Sequence, residues 1–370
     1  MGAKTTVVGD VDSLERGGAP AAELIFGDWY PALRSGELRV GKTKTALLLG
    51  IPLLMGRKKD GSIFAMKDLC PHRGIPLSAG WFDGETVMCK YHGWKFEPCS
   101  GQCKEIPSLT QIDTLDASKI FATSFPCVDR DGYAWVYVPE QGVGRASLTV
   151  ASLPEVPELP KFSAKYRSAH LVADLPCNVD HGIIGLMDPA HGPFVHQAWW
   201  WRSAASIHEK KKNFEPIPEG FRMAAHAPSG NSAPYKLLGV YGEPITTTID
   251  FVLPNRRYET IRCGEKWFSS LTTVTPVTPT TCRIDVLAAW NVFYNVPFVT
   301  SIATFFGARF VRQDQETMIK QAQGLRYHPG LMLIDDADKP AKWYFALKQA
   351  RLKGIGEHPL QGPVTLHWRS

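Results

Sequence analysis

Between Trp29 and about Pro139, short apolar runs alternate with turn residues at strand-like intervals. Thr45–Leu49 and Ile51–Met55 are apolar strand candidates. Asp60-Gly61 stands before a third, Ser62–Met66, as a hairpin turn would. Asp131-Gly132 precedes Tyr133–Val138, a run of aromatic and β-branched residues suited to a pleated surface. This stretch predicts a small all-β domain. Pro154, Pro157 and Pro160 then crowd Ala151–Lys161, which reads as a connector. Beyond it the period changes. Ile245–Val252, Tyr258–Cys263, Ser269–Val277 and Arg283–Ala288 predict strands of a sheet, and Ser301–Gln323 and Lys339–Lys353 predict helices. The expected layout is α+β in three parts: a loose arm over 1–25, the β domain over 26–145, and a larger mixed domain over 146–370.

Composition narrows the class. The chain has 370 residues, 44% hydrophobic and 21% charged, which is globular and excludes disorder for its bulk. No run of about 18 residues is free of polar interruption, so no membrane-crossing helix is expected. The net charge of +5 is mild. The densest basic cluster, Lys210-Lys211-Lys212, reads as solvated surface, and no nucleic-acid partner is expected. Eight cysteines are too sparse for a disulfide scaffold, and Met1–Pro20 holds no apolar run of the secretory kind. A cytoplasmic location is the expectation, peripheral at a membrane if the substrate is a lipid.

Candidate chemistry starts at Cys70-Pro71-His72-Arg73-Gly74 and Cys89-Lys90-Tyr91-His92-Gly93-Trp94. Two thiolates and two imidazoles suit tetrahedral zinc. They suit a [2Fe–2S] cluster equally, with two Cys on one iron and two His on the other. Zinc fingers usually open with a Cys pair and close with a His pair, whereas here each loop supplies one of each. Cys70, His72, Cys89 and His92, with Arg73-Gly74, Gly93-Trp94, Gly101, Cys103 and Ile106-Pro107, resemble the Rieske family. Ile75 and Gly93-Trp94 stand where high-potential Rieske proteins carry an extra cysteine pair, so the resemblance implies a low-potential cluster of the oxygenase type. Cys99 and Cys103 flank a turn and read as two packed thiols.

A second constellation follows at Asp188-Pro189-Ala190-His191-Gly192-Pro193-Phe194-Val195-His196. On a helix Asp188 and His191 would share a face, and Gly192-Pro193 would supply the break that turns His196 back. Two histidines and one carboxylate on one face, with open positions left over, are the non-haem Fe(II) pattern. The carboxylate candidate lies in Arg312-Gln313-Asp314-Gln315-Glu316 on a predicted helix that resembles the one delivering the third ligand in Rieske oxygenases; the resemblance implies Asp314, with Glu316 as the alternative about 200° away.

Taken in order from about Trp29 to Phe345, the two constellations resemble the catalytic subunit of the Rieske non-haem iron oxygenases. The resemblance implies an N-terminal Rieske domain, a helix-grip-like catalytic domain holding mononuclear Fe(II), and a trimer. It also implies that Asp188 bridges His191 to the Rieske histidine His92 of a neighbouring copy. The family's Asn before the bridging Asp has no counterpart, since Ile184-Gly185 occupies that place and Asn178 lies ten residues upstream.

The implied activity uses O₂ and electrons from a separate ferredoxin or flavin reductase, because the chain carries no Gly-rich dinucleotide fingerprint. Lys67, Lys90, Lys95 and Lys104 around the cluster motif could attract an acidic donor. Ile183, Ile184, Leu186, Met187, Phe194, Trp199-Trp200-Trp201 and the stretch Phe293–Phe310 are apolar enough for a bulky substrate, sterol-like or chlorophyll-like, or for ordinary core. Arg202 could meet a substrate carboxylate. The alternatives are an oxygenase or O-demethylase of small aromatic acids, a Rieske electron carrier without catalytic iron, and a zinc-stabilised binding protein.

Overall fold

Tyr133–Val138 and Ile245–Val252 form strands over the ranges their residues predict. The other expected strands and both expected helices form with one or both ends shifted by one to three residues from those predicted. The computed structural model describes the chain except for residues 1–5, 9–20, 141–147, 149, 197–206, 229–234, 236–237 and 336. The expected boundary at 145–146, most of the expected arm, and Trp199-Trp200-Trp201-Arg202 lie outside the described residues. Phe26–Glu158 makes one compact unit, and Leu159–Ser370 with residues near the N-terminus makes the other.

The first unit is all β. Lys42–Leu48, Ile51–Arg57, Ile63–Lys67 and Ser124–Phe125 form one antiparallel sheet, and Asp28–Arg34, Tyr133–Val138 and Cys127–Arg130 form a second. A third, of two- and three-residue strands, runs Trp81–Phe82, Val87–Met88, Lys95–Phe96 and Cys103–Glu105. The hairpin predicted at Asp60-Gly61 is present, and Asp131-Gly132 turns a second, with Asp131 taking the positive φ (53°) that its turn demands.

The second unit is built on an eight-stranded antiparallel sheet with helices on one face, and Thr6–Val8 pairs with Leu331–Leu333 in a separate two-stranded sheet. From one edge the strands are Arg167–Leu175, Thr281–Trp290, Lys266–Thr278, Arg256–Cys263, Ile245–Val252, Gly220–His226, Glu209–Ile217 and Val364–Arg369. Antiparallel partners point the same way, so the register names the face. Leu171, Val286, Thr272, Arg257, Phe251 and Phe221 stand in one row across six strands. The helix Val179–Met187 lies on this face with Gly182 against Val274 and Cys282. A Cβ there would come within 2.7 Å of Val274 Cγ1, so only glycine allows the approach. The long helix Val299–Leu325 lies on the same face with Gly307 against Leu171. Gln315 Nε2 of that helix also donates to the Asp174 carbonyl at 2.8 Å. Trp343 of the helix Lys339–Leu352 packs its ring on Phe214 and Phe221.

The lysine run departs from expectation. Lys210 and Lys212 are buried and only Lys211 faces out. The run lies in a strand, whose period of two turns alternate side chains inward regardless of charge. Lys210 Nζ donates to Ser370 Oγ at 2.6 Å and Lys212 Nζ to the Ala227 carbonyl at 3.0 Å.

A buried ion pair fixes the Val179–Met187 helix to the C-terminal one. Asp180 accepts from Tyr344 Oη at 2.5 Å and from Lys348 Nζ at 2.6 and 2.8 Å, and the Lys348 side chain is 4% exposed. Stranding one partner of a buried pair costs about 3–5 kcal/mol. Lys348→Met leaves Asp180 with the tyrosine alone and is expected to lower unfolding free energy by about 3 kcal/mol. Urea denaturation checks this as a lower midpoint at unchanged slope.

Candidate metal centres

In the first unit two loops are closed by matching hydrogen bonds. Cys70 N donates to Ile75 O (2.8 Å) and Gly74 N to Cys70 O (2.9 Å), while Cys89 N donates to Trp94 O (2.9 Å) and Gly93 N to Cys89 O (3.0 Å). Gly74 and Gly93 carry near-equal positive φ values, 72° and 71°, which the tight loop closure requires. The paired loops bring Cys70, His72, Cys89 and His92 together. Both cysteines are buried, the two imidazole centroids are 4.5 Å apart, and Trp94 stacks flat on His72.

Two features of this pocket fit a metal group. The Nδ1 atoms of His72 and His92 are both buried without a hydrogen-bond partner, an arrangement that buried polar atoms avoid unless something else binds them. Burial also pushes the Cys70 thiol up to about 11, with Cys89 beside it. A cation bound to sulfur is what keeps such a thiol deprotonated at neutral pH. Two buried sulfurs and two orphaned imidazole nitrogens are the donor set of a Rieske [2Fe–2S] cluster.

In the second unit His191, His196 and Asp314 each offer a ligand atom, all within 4.8 Å of one another. His196 Nε2 lies 3.2 Å from His191 Nε2 and 3.1 Å from Asp314 Oδ1, and His191 Nε2 lies 3.8 Å from that oxygen. His191 Nδ1 donates to the Asp188 carbonyl at 2.7 Å, and His196 Nδ1 meets Gln313 Oε1 at 3.2 Å. Each imidazole is thus held from behind, with its Nε2 lone pair directed at the shared point. Two imidazoles and one carboxylate on one side of that point fit a mononuclear iron. Glu316 stays apart, paired with Arg312 at the surface (3.1 Å).

The chain path differs from expectation at Asp188. The helix Val179–Met187 ends there, because Pro189 has no N–H to continue it and restricts the residue before it. Asp188 and His191 therefore do not share a helix. Asp188 is a C-cap whose Oδ1 accepts from Ala190 N at 2.7 Å. His191 then leads a single turn, Gly192–Val195, with Pro193 in its first positions and His196 at its end. Pro193 starts a helical turn and does not break one. Asn178 caps the earlier helix, accepting from His181 N at 3.1 Å.

Two contributors escape the sequence reading. Gln313 precedes the ligand candidate Asp314 and supports His196, and Phe310 stacks on the His196 ring with centroids 3.7 Å apart. Their spacing, one residue and one helical turn before Asp314, is the only signal the sequence holds. Of the apolar candidates, Ile183 is core, Leu186 and Met187 pack against it, and Phe194, Phe298 and Phe305 are exposed.

The model of the Rieske [2Fe-2S] domain matches residues 28–117. The chain is 31% identical over 233 residues to chlorophyllide a oxygenase of Chlamydomonas reinhardtii, covering 62% of this chain and 32% of that one. It is 31% identical over 181 residues to the oxygenase subunit of 3-chlorobenzoate-3,4-dioxygenase of Comamonas testosteroni, covering 48% and 39%. The chain thus matches about a third of the length of these curated relatives. Among solved structures, dicamba monooxygenase bound to dicamba superposes with a TM-score of 0.69 at 20% identity, covering 91% of this chain and all of that one.

Proposed function

The chain belongs with the Rieske non-haem iron oxygenases, and from that premise we propose that it is the oxygenase component of an O₂-dependent system acting on an apolar, polycyclic substrate. The observation that carries the reading is the convergence of His191, His196 and Asp314 in a chain whose first unit is a Rieske domain. Cys70, His72, Cys89 and His92 are assigned to the cluster, and His191, His196 and Asp314 to Fe(II). When bound, these groups supply single electrons and the activation of O₂ at open coordination positions.

The protein's own work is positioning. The Asp188 carbonyl and Gln313 Oε1 hold the outer ring nitrogens of His191 and His196, which fixes both tautomers with Nε2 free for metal. Phe310 covers one face of His196 and keeps water from it. Asp188 keeps one carboxylate oxygen on Ala190 N, while its other oxygen lies 3.7 Å from His191 Nδ1. That second oxygen is assigned the link to His92 of a neighbouring subunit, and the working form is a homotrimer.

A ferredoxin or flavin reductase supplies the electrons. Lys90 and Lys104 are exposed for its docking, while Lys95 is partly engaged by Glu105 at 2.6 Å. No helix among the described residues is long and apolar enough to cross a membrane. The assigned location is the cytoplasm, at a membrane surface if the substrate is a lipid.

The test is O₂ uptake by the iron-loaded protein with a generic reductase and NADH, screened over sterol, tetrapyrrole and aromatic-acid substrates. Substrate-dependent uptake with an oxidised product supports the reading, and an electron carrier shows none with any of them. Reduction by an acidic ferredoxin should slow as salt rises, and a salt-independent rate would count against docking by charge.

A further inference from the structure

The helix bearing Asp314 begins on a surface that is costly to expose to water. Phe298 is its N-cap and sits at φ 64°, a left-handed conformation that an aromatic residue adopts only against strain. Burial does not offset that strain, because Phe298 is 79% exposed. Ile302 and Phe305 follow at i+4 and i+7, on the same side of the helix, and are 54% and 65% exposed. Arg309 continues the line one turn later, exposed and without an acid partner among the described residues. Asp314 comes nine residues after Phe305, so it points the opposite way, about 14 Å further along the axis.

The charge around this stripe has one sign. No aspartate or glutamate stands between Asp285 and Asp314, nor between Glu158 and Asp174. At the chain's average of 36 acids in 370 residues, the two stretches would hold about four. They hold none, against Lys161, Lys165, Arg167, Arg309 and Arg312. The fold joins the two stretches. Arg167–Leu175 pairs with Thr281–Trp290, and Gly307 of the helix lies against Leu171. Arg167 Nε donates to the Tyr294 carbonyl at 2.8 Å, just ahead of the helix start. Arg312 is paired with Glu316, so Arg167 and Arg309 are the exposed cations near the two ends of the apolar stripe.

A protruding apolar stripe flanked by cations, in surroundings without acids, suits a helix lying in the headgroup region of an anionic bilayer. An acidic electron donor is the other anionic candidate, but it must reach the cluster, whose ligands all belong to the other unit. We infer that Phe298, Ile302 and Phe305 insert at the surface of a membrane containing anionic lipid, with Arg167 and Arg309 on its headgroups. The inference rests on the oxygenase reading only for what the surface serves, which is access of an apolar substrate to the metal triad.

The experiment is co-sedimentation of the full chain with vesicles of phosphatidylcholine, alone or with about a third phosphatidylglycerol, after iron content has been recorded. The expected result is at least about tenfold tighter binding to the anionic vesicles, lost as salt rises. Arg309→Gln should weaken that binding about fivefold and leave binding to neutral vesicles unchanged. Phe298→Asn combined with Phe305→Gln should weaken binding to both kinds at least about tenfold. Asn tolerates the left-handed backbone and both side chains are exposed, so an unchanged thermal midpoint should show that the loss is not unfolding. Equal binding to the two kinds of vesicle, or unchanged binding in the phenylalanine variant, overturns the inference. A smaller oligomer in that variant also overturns it, by making the face a contact between copies. So does loss of acidic-ferredoxin binding in Arg309→Gln with vesicle binding intact, by making the face a protein-docking surface. Vesicle binding needs neither iron nor turnover. Binding as expected by a chain without catalytic iron would refute the oxygenase reading alone, and an active oxygenase that ignores vesicles would refute this inference alone.

Discussion

His191→Ala is expected to end O₂-dependent turnover while leaving the visible spectrum of the Rieske cluster unchanged. The imidazole removed is one of three groups converging within 4.8 Å, and it belongs to a different unit from Cys70, His72, Cys89 and His92. Loss of even a supporting residue around a metal ligand costs 10–100-fold, so loss of a ligand should exceed about a hundredfold. The His191 side chain is a quarter exposed and contributes little core, so the variant should fold. Activity assays and absorption spectra on one preparation check both halves. Full activity would remove His191 from the ligand set.

Asp188→Asn is expected to slow transfer of electrons between the two sites by at least about a hundredfold, with both sites still loaded. The structure makes the substitution clean. The Ala190 N–H is satisfied by the side-chain oxygen that Asn keeps, and His191 Nδ1 donates to the Asp188 backbone carbonyl, which the change does not touch. What disappears is the charge and the second acceptor oxygen. Asn and Asp are near-equal in this kind of local hydrogen bonding, so stability should move by about 1 kcal/mol or less. Rapid-mixing measurement of the pre-reduced cluster with substrate and O₂ reads the rate. Wild-type speed in a fully loaded Asp188→Asn protein would show that Asp188 serves only as a cap.

The two metal sites were unequally legible in the sequence. Cys70 to Trp94 is readable because all four ligands sit in two short loops whose glycines and spacing are dictated by closure. Asp314 was reachable through the resemblance of its helix to the ligand-bearing helix of the family, and the helical period served only to set Glu316 apart. The path at Asp188 was misread because the shared face of Asp188 and His191 needs a helix running through Pro189, which has no N–H to continue one. Tertiary context decided that Pro189 ends one helix and Pro193 begins the next. The lysine run misled for a related reason. Charge patterning along a chain describes composition, while burial follows strand alternation, and only the register shows that Lys212 faces the covered side. Gln313 and Phe310 were invisible because their roles depend on the approach of His196 from far away in sequence.

The central claim is that one chain carries both a Rieske cluster and a separate catalytic iron. Iron analysis of the anaerobically purified protein, beside that of His191→Ala, tests it most directly. The expected values are about three iron atoms per chain in the wild type and about two in the variant, with the brown cluster spectrum in both. Two irons per chain in both proteins would make the chain an electron carrier, and a colourless, zinc-loaded protein would contradict both sites at once.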